Sequence, residues 1–511
     1  MLDFPSLGHM LRHTAAQHPT KAAVIFQGEA TAYQALEVMS NKVARALAER
    51  GLGRGDHVGL YCINSPHFVA SYLGIVKQGA TVVPINLLLN PEEVHFILSD
   101  SRAKALIYFE QLAPAVAAIR ERLPDLQYLI AVGDSGGLPA DTFAAIMARG
   151  EQLEELPAID RREDVAAILY TSGTTGRPKG AMLTHHNLLS NVASINQALY
   201  VSPDDVFLTI LPMFHAFAAT VGMLTPLSKG AAIAAVPRFT PEEMVRAMAE
   251  TKATIFFGVP SMYAVLVNLP EGREPDMSSL RLCISGGAAL PVEVMKRFEE
   301  RYGVPIYEGD GPTECSPVTC VNPIGGLRKP GSVGQPIPGV EMKIVDEEGN
   351  ELPTGEVGEI VVRGDNVMKG YFNLPEETKE AFLGEWFRTG DLGYVDEDGY
   401  FYIVDRKKDL IIVSGMNVYP RMVEEVIYRH PAVAECAVVP EPDDLRGEVP
   451  RALIVLKEGM SATKDEIIQL CRQHLGRFEV PRLVEFVDEL PKGPTGKILK
   501  RELVRRKGER T

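Results

Sequence analysis

Little in this 511-residue sequence points to a metal cage, a disulfide scaffold or a bilayer. The six cysteines, Cys62, Cys283, Cys315, Cys320, Cys436 and Cys471, never fall at C-x-x-C spacing, which argues against a zinc ribbon and a disulfide framework. Reduced thiols in a cytoplasmic protein fit best. No stretch runs long enough without charge to span a bilayer, and MLDFPSLGHMLRHTAAQHP lacks a basic region followed by an apolar one. An integral membrane segment is therefore not expected, while peripheral membrane contact and a homodimer stay open. Positive charge is scarce: the net charge of −15 argues against a nucleic-acid partner held by a general field. The basic stretch KILKRELVRRKGERT reads as a solvated terminal helix.

What is present is ordinary globular material, 46% hydrophobic and 23% charged, in a chain too long for one core. Short apolar runs such as DHVGLYCIN, ATVVPIN, RAKALIYF, LQYLIAV, DVAAILY, AAIAAVPRF, ATIFFGVP and LRLCISGG alternate with helical stretches, an α/β rhythm that predicts doubly wound-type parallel sheets. The first of those helices is expected to start at a capping box of Thr31 with Gln34. After about Gly331 the texture turns to alternating strands and glycine turns, a β-rich subdomain. A small α+β domain follows, with a helix at YPRMVEEVIYRH, strands at ECAVVP and RALIVL, and a capping box of Thr463 with Glu466.

The stretch YTSGTTGRPKGAM, at the end of the run VAAILY, combines glycines, hydroxyls and two cations. Backbone N–H groups freed by glycine, with Lys and Arg beside them, suit oxygen anions such as phosphates. A Walker A loop needs Ser or Thr directly after the lysine, and here Lys179 is followed by Gly180, so that reading fails on spacing. A linker of small residues is the alternative.

Six stretches in order, YTSGTTGRPKGAMLTHHN, PMFHAFA, SGGAALP, YEGDGPTECSP, FRTGDLGYVDEDGYFYIVDRKKDLIIVSGMNVYP and PKGPTGKILKREL, together resemble the adenylate-forming superfamily of acyl-CoA synthetases, firefly luciferase and peptide-synthetase adenylation domains. The resemblance implies a large multi-subdomain N-terminal domain over 1–404, with two doubly wound-type sheets and the β-rich part. It also implies a hinge at 405–408 around Lys408 and a mobile C-terminal α+β domain over 409–511. It further implies two half-reactions, in which a carboxylate attacks the α-phosphorus of ATP and a thiol then takes the acyl group. On this pattern Thr171, Ser172, Gly173, Thr174, Thr175, Gly176 and Lys179 hold the phosphates, with Thr174 and Lys179 acting in catalysis on the leaving pyrophosphate. Gly287, Ala288, Gly311 and Thr313 join the nucleotide site, Asp391 and Arg406 take the ribose, and Glu314 holds Mg2+ beside phosphate oxygens. Lys497 bridges the substrate carboxylate and the α-phosphate. His215 is expected to gate the passage between the nucleotide and acyl sites. One departure stands out: where relatives often stack an aromatic ring on adenine this chain has Asp310, which can instead accept a hydrogen bond from the base.

Ala216 follows His215, where amino-acid-activating relatives usually carry an aspartate, so amino acids are disfavoured. The acyl pocket is assigned to His215, Ala216, Gly286, Gly287 and Ala288, with walls at FAATVGMLTPL and FFGVPSMYAVL. Such walls suit an alkyl chain, at about 0.8 kcal/mol per buried methylene. A medium- or long-chain fatty acid is the first expectation, an aryl acid of the benzoate or coumarate type the second, and CoA the thiol. The sequence also leaves open a phosphoryl-transferring ATPase and a non-catalytic nucleotide-binding protein. His185 and His186 read as helix-start residues, not a metal pair.

Overall fold

The computed structural model describes residues 2–150, 152–171, 178–493 and 496–504. Two large sheets with helices carry the first part of the chain. One is nine-stranded, and its central strands Ala22–Phe26, Ala232–Ala235, Val206–Thr209, Ile255–Gly258, Leu282–Ser285 and Ile306–Asp310 pair in parallel. The other is eight-stranded, with Thr81–Pro84, His57–Tyr61, Ala105–Phe109 and Tyr128–Val132 parallel at its centre. Most of these strand residues are buried, as the continuous apolar runs predict for sheets covered on both faces.

The β-rich subdomain is an antiparallel sheet of Val340–Val345, Gly358–Gly364, Trp386–Val395, Phe382–Leu383 and Phe401–Arg406. It sends one short strand, Gly370–Tyr371, into the eight-stranded sheet, where Tyr371 lies opposite Ala181. A single 3-10 turn, Lys407–Asp409, connects Phe401–Arg406 to the last sheet, in which Gly447–Leu456 pairs with Val433–Asp443, Ile411–Val413 and Leu483–Phe486. That sheet has a hydrophobic cluster of its own, including Val423, Ile427, Val438, Ile454 and Ile467.

Local signals differ in how they fare. Thr463 and Glu466 form the expected capping box, with the Glu466 N–H donating to Thr463 Oγ1 at 3.2 Å. Thr31 does not cap: it belongs to the strand Glu29–Ala32, opposite Val24, and the helix Tyr33–Glu49 begins later with Ala32 at its N-cap and no side-chain cap bond. Strand pairing takes Thr31, and Tyr33 is anchored instead by donating its hydroxyl to Ala231 O at 2.6 Å. His185 and His186 do start the helix His185–Ala198, capped by Thr184. Among the described residues no helix is long and apolar enough to cross a membrane. All six cysteines are buried and unbridged.

Candidate active site

A cavity of about 1110 Å³ is lined by residues from both large sheets, the β-rich subdomain and the C-terminal body. Its floor lies beyond the carboxyl ends of parallel strands, where open α/β sheets collect ligands. The strand Ile306–Asp310 ends there, and Asp310, Gly311, Thr313 and Glu314 all line the wall. Glycine is required at 311, because a Cβ would sit 1.7 Å from the Pro317 carbonyl oxygen. The next residues tighten into the turn Thr313–Cys315, which turns Glu314 toward the cavity. Glu314 Oε1 accepts a hydrogen bond from the Tyr371 hydroxyl at 2.9 Å, and the Glu314 carbonyl accepts one from the Met368 N–H at 2.7 Å.

Thr171 and Lys179 reach the same wall from a hairpin whose last pairing is Thr171 opposite Lys179. The Thr171 hydroxyl donates to the Lys179 carbonyl at 3.4 Å, and the Lys179 ammonium lies 5.2 Å from the Tyr371 ring centre. Ser172, Gly173, Thr174, Thr175 and Gly176 fall outside the described residues.

Asp391 and Arg406 face each other across adjacent strands, with Arg406 Nε 3.0 Å from Asp391 Oδ1. Asp391 is buried but is not among the wall residues, whereas Arg406 is. Burial raises the pKa of Asp391 against the pull of Arg406, and the neighbouring Asp310 raises it further. Asp310 is raised too, first by burial and then opposed by Arg406 and Lys497. Lys497, from the C-terminal body, lines the cavity beside Gly287: a Cβ on Gly287 would meet Lys497 Cε at 2.9 Å. Gly287 holds φ at +80°, which glycine adopts freely, so both its shape and its missing side chain admit the lysine. Burial, with Arg406 and Lys408 nearby, lowers the Lys497 pKa to about 8, while Asp310 and Asp391 pull it up. Ser261, in the helix Pro260–Val267, donates its hydroxyl to the Gly496 carbonyl at 2.9 Å and so ties Gly496, next to the lysine, to the N-terminal part of the chain. Lys408, in the connecting turn, also faces the cavity.

Part of the cavity wall is apolar. His215, Ala216, Gly286 and Gly287 line the cavity as expected, but Ala288 is exposed and off the wall, since the chain turns outward at Gly287. The first expected wall is represented by Phe217 and by Val221, the latter on a π-helical segment Ala218–Leu224 that Phe217 precedes. No residue of FFGVPSMYAVL contributes: its helix Pro260–Val267 packs in the core, and the wall comes from Ile195, Ala198 and Leu199 at the end of the helix His185–Ala198, together with Val318, Val321 and Ile337. His215 is neutral here, because burial and then Lys497 push its pKa down to about 3. The Phe217 N–H donates to His215 Nδ1 at 3.3 Å, leaving the ring proton on Nε2.

Tyr371 and the helix end Ile195–Leu199 are the residues that sequence reasoning missed. The only local sign of Tyr371 was an aromatic in MKGYF, with nothing nearby to tie it to Lys179. Among the described residues no group of three or more His, Cys, Asp or Glu side chains could hold a metal alone. Glu314 therefore suits a hard ion that completes its shell with phosphate oxygens and water, as Mg2+ does.

Residues 11–372 match the family model of the AMP-binding enzymes, and 422–497 match the C-terminal domain of AMP-binding enzymes. The chain belongs to the AMP-binding enzyme family. This AMP-forming acyl-CoA synthetase is 38% identical to a long-chain-fatty-acid–CoA ligase of Bacillus subtilis (strain 168), over 99% of this chain and 95% of that one. It is 37% identical to a feruloyl-CoA synthase of an Amycolatopsis species, over 98% and 99%. Its structure resembles that of an anthranilate CoA ligase in complex with anthranoyl-AMP, with a TM-score of 0.92, 33% identity, and coverage of 98% and 96%. The synthetase uses ATP and CoA as substrates with Mg2+, which sets aside the ATPase and non-catalytic readings.

Proposed function

We propose that the acid activated by this synthetase is a medium- or long-chain fatty acid. One observation carries the reading: Ile195, Ala198, Leu199, Phe217, Val221, Val318, Val321 and Ile337, all apolar, line the cavity. Burying an alkyl chain there gains about 0.8 kcal/mol per methylene. Ala216 supplies no carboxylate for a substrate ammonium, which supports an acid without an amino group. The 37% identity to a feruloyl-CoA synthase favours a second reading, an aryl acid.

In the first half-reaction a carboxylate oxygen attacks the α-phosphorus, the bond to the β-phosphate oxygen breaks, and pyrophosphate leaves. Lys497 offsets the repulsion between the two anions, a contribution that grows as water is excluded. Lys179, Thr171 and the stretch from Ser172 to Gly176, with Thr174 in it, hold the phosphates. Asp391 and Arg406 hold the ribose, and Asp310, Gly287, Gly311 and Thr313 border the base and α-phosphate. Glu314 holds Mg2+, which when bound neutralises phosphate charge. In the second half-reaction the CoA sulfur attacks the acyl carbon, the thiol proton leaves to solvent, and the carbon–oxygen bond to AMP breaks. Neutral His215 gates the passage between the sites instead of serving as a base. Residues 409–511 move relative to 1–404 about the hinge at 405–408, with Lys408 in the turn.

A panel of octanoate to stearate, benzoate, ferulate and phenylalanine, scored by pyrophosphate release with saturating ATP, Mg2+ and CoA, tests the substrate. The expected result is a kcat/KM that climbs with alkyl length, up to about fourfold per methylene, to a plateau set by the cavity. A maximum at ferulate or benzoate overturns the fatty-acid reading in favour of the aryl one.

A further inference from the structure

Two groups assigned above to the triphosphate and its metal come from separate elements, and one side chain touches both. The Tyr371 hydroxyl donates to Glu314 Oε1 at 2.9 Å, while its ring face receives the Lys179 ammonium at 5.2 Å from the centre. Its backbone is held as firmly. The strand Gly370–Tyr371 lies antiparallel to Lys179–Thr184, the Phe372 N–H donates to Gly180 O at 2.8 Å, and the Lys369 N–H donates to Met182 O at 2.9 Å. The Tyr371 N–H donates to Thr378 Oγ1 at 2.9 Å, and Met368, three residues earlier, holds the Glu314 carbonyl. All three side chains line the cavity.

We infer that Tyr371 is a positioning residue that fixes the carboxylate of Glu314 and the ammonium of Lys179 relative to one another, so that metal binding and phosphate binding act as one unit. The inference rests on the reading of Glu314 as the Mg2+ carboxylate and Lys179 as a phosphate cation. Physically, a phenol O–H on one carboxylate oxygen selects the rotamer that leaves the other oxygen for the ion. Outer-shell donors of this kind are typically worth about 10–100-fold in metal affinity. The ring face limits where the lysine ammonium rests without neutralising it, as a carboxylate there would.

The test compares Tyr371→Phe, Tyr371→Leu, Glu314→Gln and the Tyr371→Phe/Glu314→Gln double variant in the full chain. Mn2+ affinity is read by electron paramagnetic resonance with a non-hydrolysable ATP analogue, which needs no turnover, and Mg2+ half-saturation is read in ATP–pyrophosphate exchange. Tyr371→Phe keeps the ring and is expected to weaken Mn2+ binding and raise the Mg2+ half-saturation about tenfold. Tyr371→Leu, which also loses the ring, is expected to raise the KM for ATP several-fold beyond that. The double variant should bind Mn2+ no more weakly than Glu314→Gln alone, since the hydroxyl acts through that carboxylate. Weakened binding in Glu314→Gln with unchanged binding in Tyr371→Phe overturns the positioning role while leaving Glu314 as the metal carboxylate. Unchanged Mn2+ affinity in Glu314→Gln overturns the reading on which the role rests. Additive losses in the double variant also overturn it, because they mean that Tyr371 acts by some other route.

Discussion

Two lysines in this molecule have their pKa lowered to about 8, chiefly by burial, and they sit in different worlds. Lys77, at the end of the helix Pro66–Lys77, is wholly enclosed: it pairs with Glu37 and donates to Ser40 Oγ and Asn41 Oδ1, both at 2.8 Å. Glu37 is satisfied in turn by Arg12 Nε at 3.2 Å and Asn41 Nδ2 at 3.0 Å. The Lys497 ammonium faces the cavity with no hydrogen bond or ion pair to another described residue, between the attraction of Asp310 and Asp391 and the repulsion of Arg406. A depressed pKa therefore does not separate a structural lysine from one proposed to meet an anion. The saturation of its donors does, because a buried ammonium without partners is costly and persists where a ligand supplies them.

The sharpest way to break this contrast is to remove each lysine. Lys497→Ala is expected to lower adenylation by about 10²–10³-fold, measured as acid-dependent ATP–pyrophosphate exchange, while thioester formation from supplied acyl-adenylate stays largely intact. Equal loss in both halves counts against delivery of the lysine for the first half alone. Lys77→Met should do the reverse. It leaves Glu37 buried with one cation fewer, costing about 3 kcal/mol in urea unfolding, with little change in kcat per folded molecule.

Protonation sharpens the comparison next. On the proposed role of Lys497, adenylation needs its ammonium, and burial brings the loss of that proton down from the ordinary lysine range to about 8. The kcat/KM of adenylation should therefore fall as pH rises through about 8, roughly tenfold per further unit. Lys497→Arg, whatever its residual rate, should lack that descending limb, since guanidinium keeps its proton. The smallest effect is expected from Ser261→Ala, which deletes the hydroxyl on the Gly496 carbonyl. A loss of about 0.5–1.5 kcal/mol corresponds to a roughly two- to tenfold drop in exchange rate, with stability little altered.

Much of this arrangement was legible in advance, and the failures have a common cause. The strands, their parallel order and the convergence of Lys179, Asp310, Glu314, Arg406 and Lys497 on one cavity follow from apolar runs and from motifs in series. Which apolar segment faces ligand does not. FFGVPSMYAVL and the helix end Ile195–Leu199 are both apolar, and periodicity distinguishes inside from outside but not core from cavity wall. Thr31 carries a capping signature, yet its segment pairs with the strand Ala22–Phe26, which is itself held on its other side by the distant strand Ala232–Ala235. Tyr371 was invisible because both its side-chain partners lie far away in sequence, Glu314 at 57 residues.

The register of Asp391 opposite Arg406 bears on more than the proposed ribose contact. That rung is the final one before Lys407–Asp409, the single peptide thread to everything that follows. On the proposed roles, a ribose diol that drew Asp391 away would free the guanidinium at the base of that thread, coupling the nucleotide to the proposed hinge.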